Sequence, residues 1–222
     1  MELKNKVVVI TGGTKGLGNS LALSFVKEGS SVVVCAKNEE GFVDLPSGIL
    51  GVKADVSKEE DLANLLNVAL DKFGKIDIWV NNAGIWLPHM FAEDFDMEKV
   101  RGMFEVNVFG LMNGSRVALR YMKKKGEGMI MNIISDSALA ERPMSSMYCA
   151  SKWAVNGFTK SIRAENNEVS ILGVYPGGIK TDIFGENKPD NFNTFMTTEY
   201  VTEKIIENLK RESIEKDLVI QH

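Results

Sequence analysis

VVVITGGTKGLGNSLALSFVKEG, residues 7–29, decides the fold. A β-branched apolar run, 7–10, enters the turn Thr11-Gly12-Gly13-Thr14-Lys15-Gly16-Leu17-Gly18, and a helix-type segment, LALSFVKEG, follows at once. A glycine-rich turn between a strand and a helix lets backbone amides approach a pyrophosphate at the helix N-terminus, where the dipole favours negative charge. The spacing is Gly12-x-x-x-Gly16-x-Gly18, and no Gly-Lys-Ser/Thr follows, so the turn is not a nucleotide P-loop.

Further along, the same alternation continues. Short apolar runs at 31–35, 49–54, 76–80, 129–134, 169–175 and 217–220 read as strands. Helix-type spacing over 16–28, 58–72, 97–124, 147–166 and 199–212 separates them, with Ser57 preceding its helix in a cap-like SKEED. Strands apolar on both faces, with helices between, predict an α/β fold: a single-domain, Rossmann-type, doubly wound parallel sheet of about seven strands with helices on both faces. No repeat or low-complexity linker divides residues 1–222, which are expected to form one domain. The 36–48 connection is turn-rich and too short for a full helix, and 184–198, FGENKPDNFNTFMTT, is the longest irregular stretch, an expected lid over the substrate.

Composition excludes several function classes. The chain has 222 residues, 44% hydrophobic and 25% charged, with a formal net charge of −4, which gives no electrostatic reason to expect nucleic acid. The basic run 123–125 reads as a helix C-terminus. Cys35 and Cys149 stand apart and only two histidines, His89 and His222, are present, so neither a disulfide framework nor a metal centre is expected. The N-terminus runs straight into a strand without a signal-peptide pattern, and the expectation is a cytoplasmic protein with no membrane partner.

The chemistry lies in residues 135–152, SDSALAERPMSSMYCASK. Three of the four tyrosines have a lysine four residues on: Tyr121, Tyr148 and Tyr200, with Lys125, Lys152 and Lys204. Only Tyr148 has a hydroxyl residue, Ser135, thirteen positions upstream at the end of a strand; Val108 and Asn187 stand there for the other two. Small residues, Cys149, Ala150 and Ser151, fill the gap and would let a flat ring approach the helix. A free tyrosine has a pKa of about 10, and an ammonium about 4 Å away at an effective dielectric of about 20 would supply about 4 kcal/mol of help towards neutrality. Lys152 is therefore expected to lower the pKa of Tyr148, which then acts as proton donor in reduction or base in oxidation, with Ser135 holding the substrate oxygen.

Dinucleotide folds often carry an acidic residue after the second strand to bind a ribose 2′-hydroxyl. None stands in Cys35-Ala36-Lys37-Asn38; Lys37 and Lys15 face a 2′-phosphate instead, which predicts NADP(H), with NAD(H) as the alternative.

Taken in order, TGGTKGLG at 11–18, Asp55-Val56, Asn81-Asn82-Ala83-Gly84, Asn107, Ser135, Tyr148-x-x-x-Lys152 and Tyr175-Pro176-Gly177-Gly178 leading to Thr181 resemble the short-chain dehydrogenase/reductase family from residue 6 to about 184. The resemblance implies a catalytic set of Asn107, Ser135, Tyr148 and Lys152, with Asn107 holding a water that relays protons through Lys152. It implies a cofactor-binding set of Gly12, Thr14, Lys15, Gly16, Leu17, Gly18, Lys37, Asp55, Val56, Asn82, Ala83, Gly84, Tyr148, Lys152, Pro176, Gly177, Ile179 and Thr181. In that set Asp55 and Val56 border the adenine, Gly177, Ile179 and Thr181 flank the nicotinamide, and Lys152 binds its ribose. Ser137, two residues beyond Ser135, is not expected to be catalytic.

The chain is shorter than is usual for the family it resembles, with a trimmed 36–48 segment and an end at DLVIQH. A homodimer through the helices at 102–124 and 147–166 is expected, with a tetramer as the alternative. Trp86, Leu87, Pro88, Phe91, Met144, Phe184, Phe192, Phe195 and Met196 suggest an apolar carbonyl compound or alcohol as the small-molecule substrate, and His89 reads as a loop residue. The leading reading is an NADP(H)-dependent oxidoreductase. A non-enzymatic NADP(H) sensor or scaffold is the alternative, disfavoured by the intact catalytic set; an epimerase sharing Tyr-x-x-x-Lys is disfavoured by the glycine spacing.

Overall fold

The computed structural model describes residues 1–43 and 45–221; Asp44, in the 36–48 connection, and His222 lie outside the described residues. Seven parallel strands form one sheet in the order β3-β2-β1-β4-β5-β6-β7, with β1 Val7–Thr11, β2 Ser31–Ala36, β3 Ile49–Lys53, β4 Ile78–Asn81, β5 Met129–Ile133, β6 Ser170–Pro176 and β7 Asp217–Ile220. Strand order reverses between β1 and β4, so their carboxyl ends diverge and leave the crevice in which open α/β sheets bind ligands.

Both faces of the sheet are covered, as the apolar runs require. Val8, Ile10, Val32 and Val34 point to one face with Leu21 and Phe25 of α1, Gly16–Lys27, and Val201 and Ile205 of α6, Thr198–Lys210. Val9, Val33 and Trp79 point to the other, under α2, Glu59–Phe73, α4, Leu111–Lys125, and α5, Ser146–Ala164. Each fully buried valine of β1 and β2 contributes about 1.5–3 kcal/mol by leaving water, which is why these strands tolerate no polar face.

Two local expectations are corrected. Ser57 does not cap α2: the cap position is Lys58, and the Ser57 hydroxyl and amide both donate to Asp55 Oδ1, at 2.7 and 3.1 Å. The helix expected over 97–124 is broken into α3, Met97–Phe104, a π turn, Glu105–Gly110, and α4. The cause is local packing: Asn107 is drawn in to bind the backbone of Ile85, and a Cβ at Gly110 would meet Val56 Cγ2 at 2.6 Å. Single-turn π insertions are a common mark of functional sites. The 36–48 connection holds a short 3-10 turn, Glu39–Phe42, in keeping with the expected lack of a helix. Among the described residues no helix is long and apolar enough to cross a membrane and no group could hold a metal ion.

Candidate active site

The glycine turn sits at the crevice, and its backbone is built for an anion. Lys15 occupies the cap position of α1 with no side-chain cap bond, and no acidic residue stands in the first turn, so the first amides are left for a ligand. Gly12 has φ +64°, a conformation that favours glycine, and a Cβ on Gly18 would run into the carbonyl oxygen of Gly12 and lie 2.5 Å from Asn82 Nδ2. Asn82 fixes the turn by donating from Nδ2 to the carbonyls of Thr11 and Gly12, at 2.9 and 3.0 Å. Thr11 Oγ1 accepts from the amides of Asn82 and Ala83, at 3.0 and 3.1 Å, and so ties the end of β4 to the end of β1.

A cavity of about 980 Å³ runs past this turn along the carboxyl ends of the strands. It is lined by every residue of the expected cofactor set and by Ser135, Tyr148 and Lys152, but not by Asn107. At its far end Lys37 Nζ lies 2.9 Å from Asp55 Oδ2 while remaining largely in solvent. That carboxylate is held below its usual range; its burial opposes this, but the bonds from Lys37 and Ser57 outweigh it. The 39–42 turn rests against the glycine loop, a Cβ at Gly41 coming within 2.7 Å of Thr14 Cβ.

At the centre, α5 presents Tyr148 and Lys152 one turn apart, with Lys152 Nζ 5.5 Å from the Tyr148 ring centre. Ser135 leaves the end of β5, where its Oγ accepts from Ser137 N at 3.1 Å and reaches Asp136 Oδ1 at 3.3 Å. Asn107 is 1% exposed; its Oδ1 accepts from Ile85 N at 2.8 Å, and its Nδ2 donates to Ile85 O at 2.9 Å and Ser151 Oγ at 3.4 Å. Its side chain thus fixes the wall behind Gly84, where an added Cβ would lie 3.4 Å from Asn107 Oδ1 and 3.9 Å from Lys152 Nζ.

The expected lowering of the Tyr148 pKa is not what this site does. Burial pushes Tyr148 up to about 12, the neighbouring Ser135 hydroxyl and Arg142 drawing it back only in part, and burial pushes Lys152 down to about 8. Both shifts favour the neutral forms, and loss of water is the leading cause of each. The other two Tyr-Lys pairs lie outside the cavity: the Tyr121 hydroxyl accepts from Ile76 N at 3.3 Å, and Lys204 pairs with Glu207 at 2.9 Å.

Of the apolar residues expected near the substrate, Trp86, Phe184, Phe195 and Met196 line the cavity; Leu87, Pro88, Phe91, Met144 and Phe192 do not. Trp86 and Phe184 meet edge to face at 5.0 Å, and Phe184 packs on Phe192 and Phe195. His89, in a loop as expected, also lines the cavity, its ring 5.3 Å from that of Trp86. Sequence reading missed Asp136, Glu141, Arg142, Asp182, Asn191 and Thr194, polar residues on the same walls. Their loops carry no motif; only the short distance of Glu141 and Arg142 from Tyr148 in the sequence could have raised them.

Structural likenesses extend over nearly the whole chain. The 3-ketoacyl-(acyl-carrier-protein) reductase from Brucella melitensis, solved in complex with NADH, superimposes with a TM-score of 0.90 at 28% identity over 98% of this chain and 97% of that one. ElxO with NADP bound gives 0.85 at 30% identity over 97% of each. In sequence, the uncharacterized oxidoreductase YxnA of Bacillus subtilis (strain 168) is 34% identical over 192 residues, 81% of this chain, and the match spans only about half, 54%, of that relative's own length. Residues 6–191 match the model of the short chain dehydrogenases; with the glycine turn, the crevice and the Ser-Tyr-Lys cluster in one cavity, the chain belongs to the short chain dehydrogenase family.

Proposed function

We propose that the protein is an NADP(H)-dependent oxidoreductase that interconverts a carbonyl and the matching alcohol on a small, partly apolar substrate. The observation that carries this is the convergence of Ser135, Tyr148 and Lys152 on one cavity that also takes in the uncapped N-terminus of α1. The residues fit a dinucleotide: amides for a pyrophosphate in a turn that Gly18, having no side chain, lets close on Gly12 and Asn82, and Asp55 and Lys37 beyond it for the adenosine end. When bound, the nicotinamide supplies or receives the hydride.

The chain's own residues would handle the proton. Ser135 Oγ hydrogen-bonds the substrate oxygen, Tyr148 gives its hydroxyl proton to that oxygen in reduction, and Lys152 stabilises the tyrosinate that results and binds a ribose hydroxyl. Asn107 acts by holding Ile85 and hence the cavity wall. Residues 184–198 cover the substrate through Phe184 and Phe195, and a homodimer through α4 and α5 is supported by the exposed Phe109 and Trp153 near those helices. We place the protein in the cytoplasm.

The serine assignment is testable. Ser135→Ala should lower kcat/KM about 100-fold or more, the scale on which loss of a single oxyanion donor acts, while Ser137→Ala stays within several-fold of the parent; the reverse pattern would transfer the role to Ser137.

Preference for NADP(H) rests on Lys37 and Lys15 and on Lys37-Asn38, not an acidic residue, standing directly after the end of β2, with Glu39 turned to Lys53. A 2′-phosphate can replace Asp55 as the partner of Lys37, gaining a charge-assisted bond that a 2′-hydroxyl does not offer. Lys37→Ala is expected to lower the ratio of NADPH to NADH efficiency about tenfold or more; an unchanged ratio in steady-state kinetics would remove Lys37 from cofactor selection. The test of the whole reading is consumption of NADPH and NADH against a panel of ketones, diketones, quinones and aldehydes. Binding of NADPH with no turnover of any member would favour a sensor.

A further inference from the structure

Beyond the Ser-Tyr-Lys cluster, the loop between β5 and α5 carries a cation into the same cavity. Arg142 lines it, and its guanidinium donates from Nη2 to Asp136 Oδ2 at 2.5 Å. Among the described residues Asp136 is its one side-chain partner, so a fork of five N–H donors is left with most of them uncommitted. Asp136 is only 12% exposed and sits beside both chemical landmarks: its Oδ1 is 3.3 Å from Ser135 Oγ, and a Cβ on Gly177 would lie 3.4 Å from its Oδ2. The carboxylate therefore acts as a bracket, holding the guanidinium at the place where the substrate oxygen is read.

The backbone of the loop is also held in an uncommon shape. Met144 has φ +60°, costly for a side chain of its size. The turn is kept by Ser145 N donating to Arg142 O at 3.2 Å and by Met90 N donating to Met144 O at 2.9 Å, which joins it to the loop bearing Trp86 and His89. A wall with an anchored arginine on one side and Trp86 and Phe184 on the other is amphipathic. It is not the purely apolar surface expected from the sequence.

We infer that Arg142 is a specificity-determining residue: the substrate is an oxo or hydroxy acid whose carboxylate pairs with the free edge of the Arg142 guanidinium while its apolar body packs on Trp86 and Phe184. The inference rests on the oxidoreductase reading for the fate of the carbonyl, but the acid-binding step does not. Planar donors in a fork match a carboxylate in two parallel bonds, which lysine cannot reproduce. Asp136 is the positioning residue that keeps the fork facing the cavity, and Glu141 and Asp182, also on the walls, would disfavour an acid placed anywhere else.

The test is calorimetric binding of hexanoate and hexanamide, a charged and a neutral probe of one shape, to the parent protein, to Arg142→Gln and to Arg142→Lys, with thermal unfolding of each variant as the check on folding. The parent should bind hexanoate about 10- to 100-fold more tightly than hexanamide. Arg142→Gln should lose that ratio while its affinity for hexanamide holds, and Arg142→Lys should recover only part of it. Equal affinities in the parent, or a preference for hexanoate that survives in Arg142→Gln, would overturn the inference. Failure of the oxidoreductase reading would show itself separately, as NADPH oxidation indifferent to replacement of Tyr148.

Discussion

Tyr148→Phe should abolish carbonyl reduction, lowering kcat by about 100- to 10,000-fold, the range over which a positioned general acid acts, while NADPH still binds. The ring stays on α5; only the hydroxyl proposed to protonate the substrate oxygen is lost. Stopped-flow or steady-state NADPH oxidation gives the rate, and fluorescence titration gives the affinity. A variant retaining a tenth of the parent rate would remove Tyr148 from the chemistry, and one that no longer binds NADPH would show a structural role instead.

Electrostatics fix the pH dependence expected alongside it. In the protein without cofactor, burial raises Tyr148 to about 12 and lowers Lys152 to about 8. A high pKa is no obstacle to reduction, because the alkoxide formed from a ketone is a stronger base than a tyrosinate. What reduction needs is the ammonium of Lys152 to stabilise that tyrosinate, and this is lost as pH rises through about 8. Reduction should therefore fall, and alcohol oxidation rise, above that pH, and Lys152→Met should remove the limb. The same shift acts on stability with a definite sign. Between about 8 and the ordinary lysine value of 10.5 the unfolded chain holds a proton that the folded chain has released, so burial of Lys152 destabilises the fold less as pH rises across that window.

The expected order of strands and helices follows from residues whose burial is decided locally. Val7–Ile10 and Val32–Val34 are apolar at every position, which only a strand covered on both faces accommodates. Tyr148 could be told from Tyr121 and Tyr200 because Ser135 must stand at the end of a strand to face it, a spacing that one sequence displays. The breaks in legibility have physical causes too. Asn107 was expected inside an unbroken helix, since nothing in MEKVRGMFEVNVFGLMNGS reveals that its amide would bind Ile85, twenty-two residues away. The pKa of Tyr148 was expected to fall because pair spacing is visible in a sequence and desolvation is not. Arg142 stands six residues from Tyr148, but its approach to the cavity depends on Asp136 and on the left-handed Met144, both settled only by folding.

The buried polar chain beneath the site carries the largest stability effect. Trp79 Nε1 donates to Asn81 Oδ1 at 2.9 Å, and Asn81 Nδ2 donates to Ser115 Oγ at 3.0 Å and Asn132 Oδ1 at 2.8 Å. Asn132 Nδ2 donates to Thr159 Oγ1 at 2.9 Å, whose hydroxyl ends the chain on Val155 O at 2.7 Å, so β4, β5, α4 and α5 are joined through side chains exposed by 3% or less. Glycine makes the approach of α4 feasible: a Cβ on Gly114 would overlap Asn81 Oδ1 and lie 2.9 Å from Trp79 Nε1. Asn81→Ala removes partners from Trp79, Ser115 and Asn132 at once. Each orphaned group costs about 1–3 kcal/mol, so the variant should lose about 3–5 kcal/mol, a large part of the 5–15 kcal/mol typical of a folded domain. Ser115→Ala, which removes one acceptor, should lose about 1 kcal/mol. Urea unfolding followed by tryptophan fluorescence measures both, and a loss below about 1 kcal/mol in Asn81→Ala would mean that water or local rearrangement satisfies the exposed groups. Because Asn82, Ala83 and Gly84 follow directly on Asn81, the same variant should also loosen the cavity wall. NADPH affinity should then fall in step with stability, whereas Ser115→Ala, one layer farther from the turn, should leave it nearly intact.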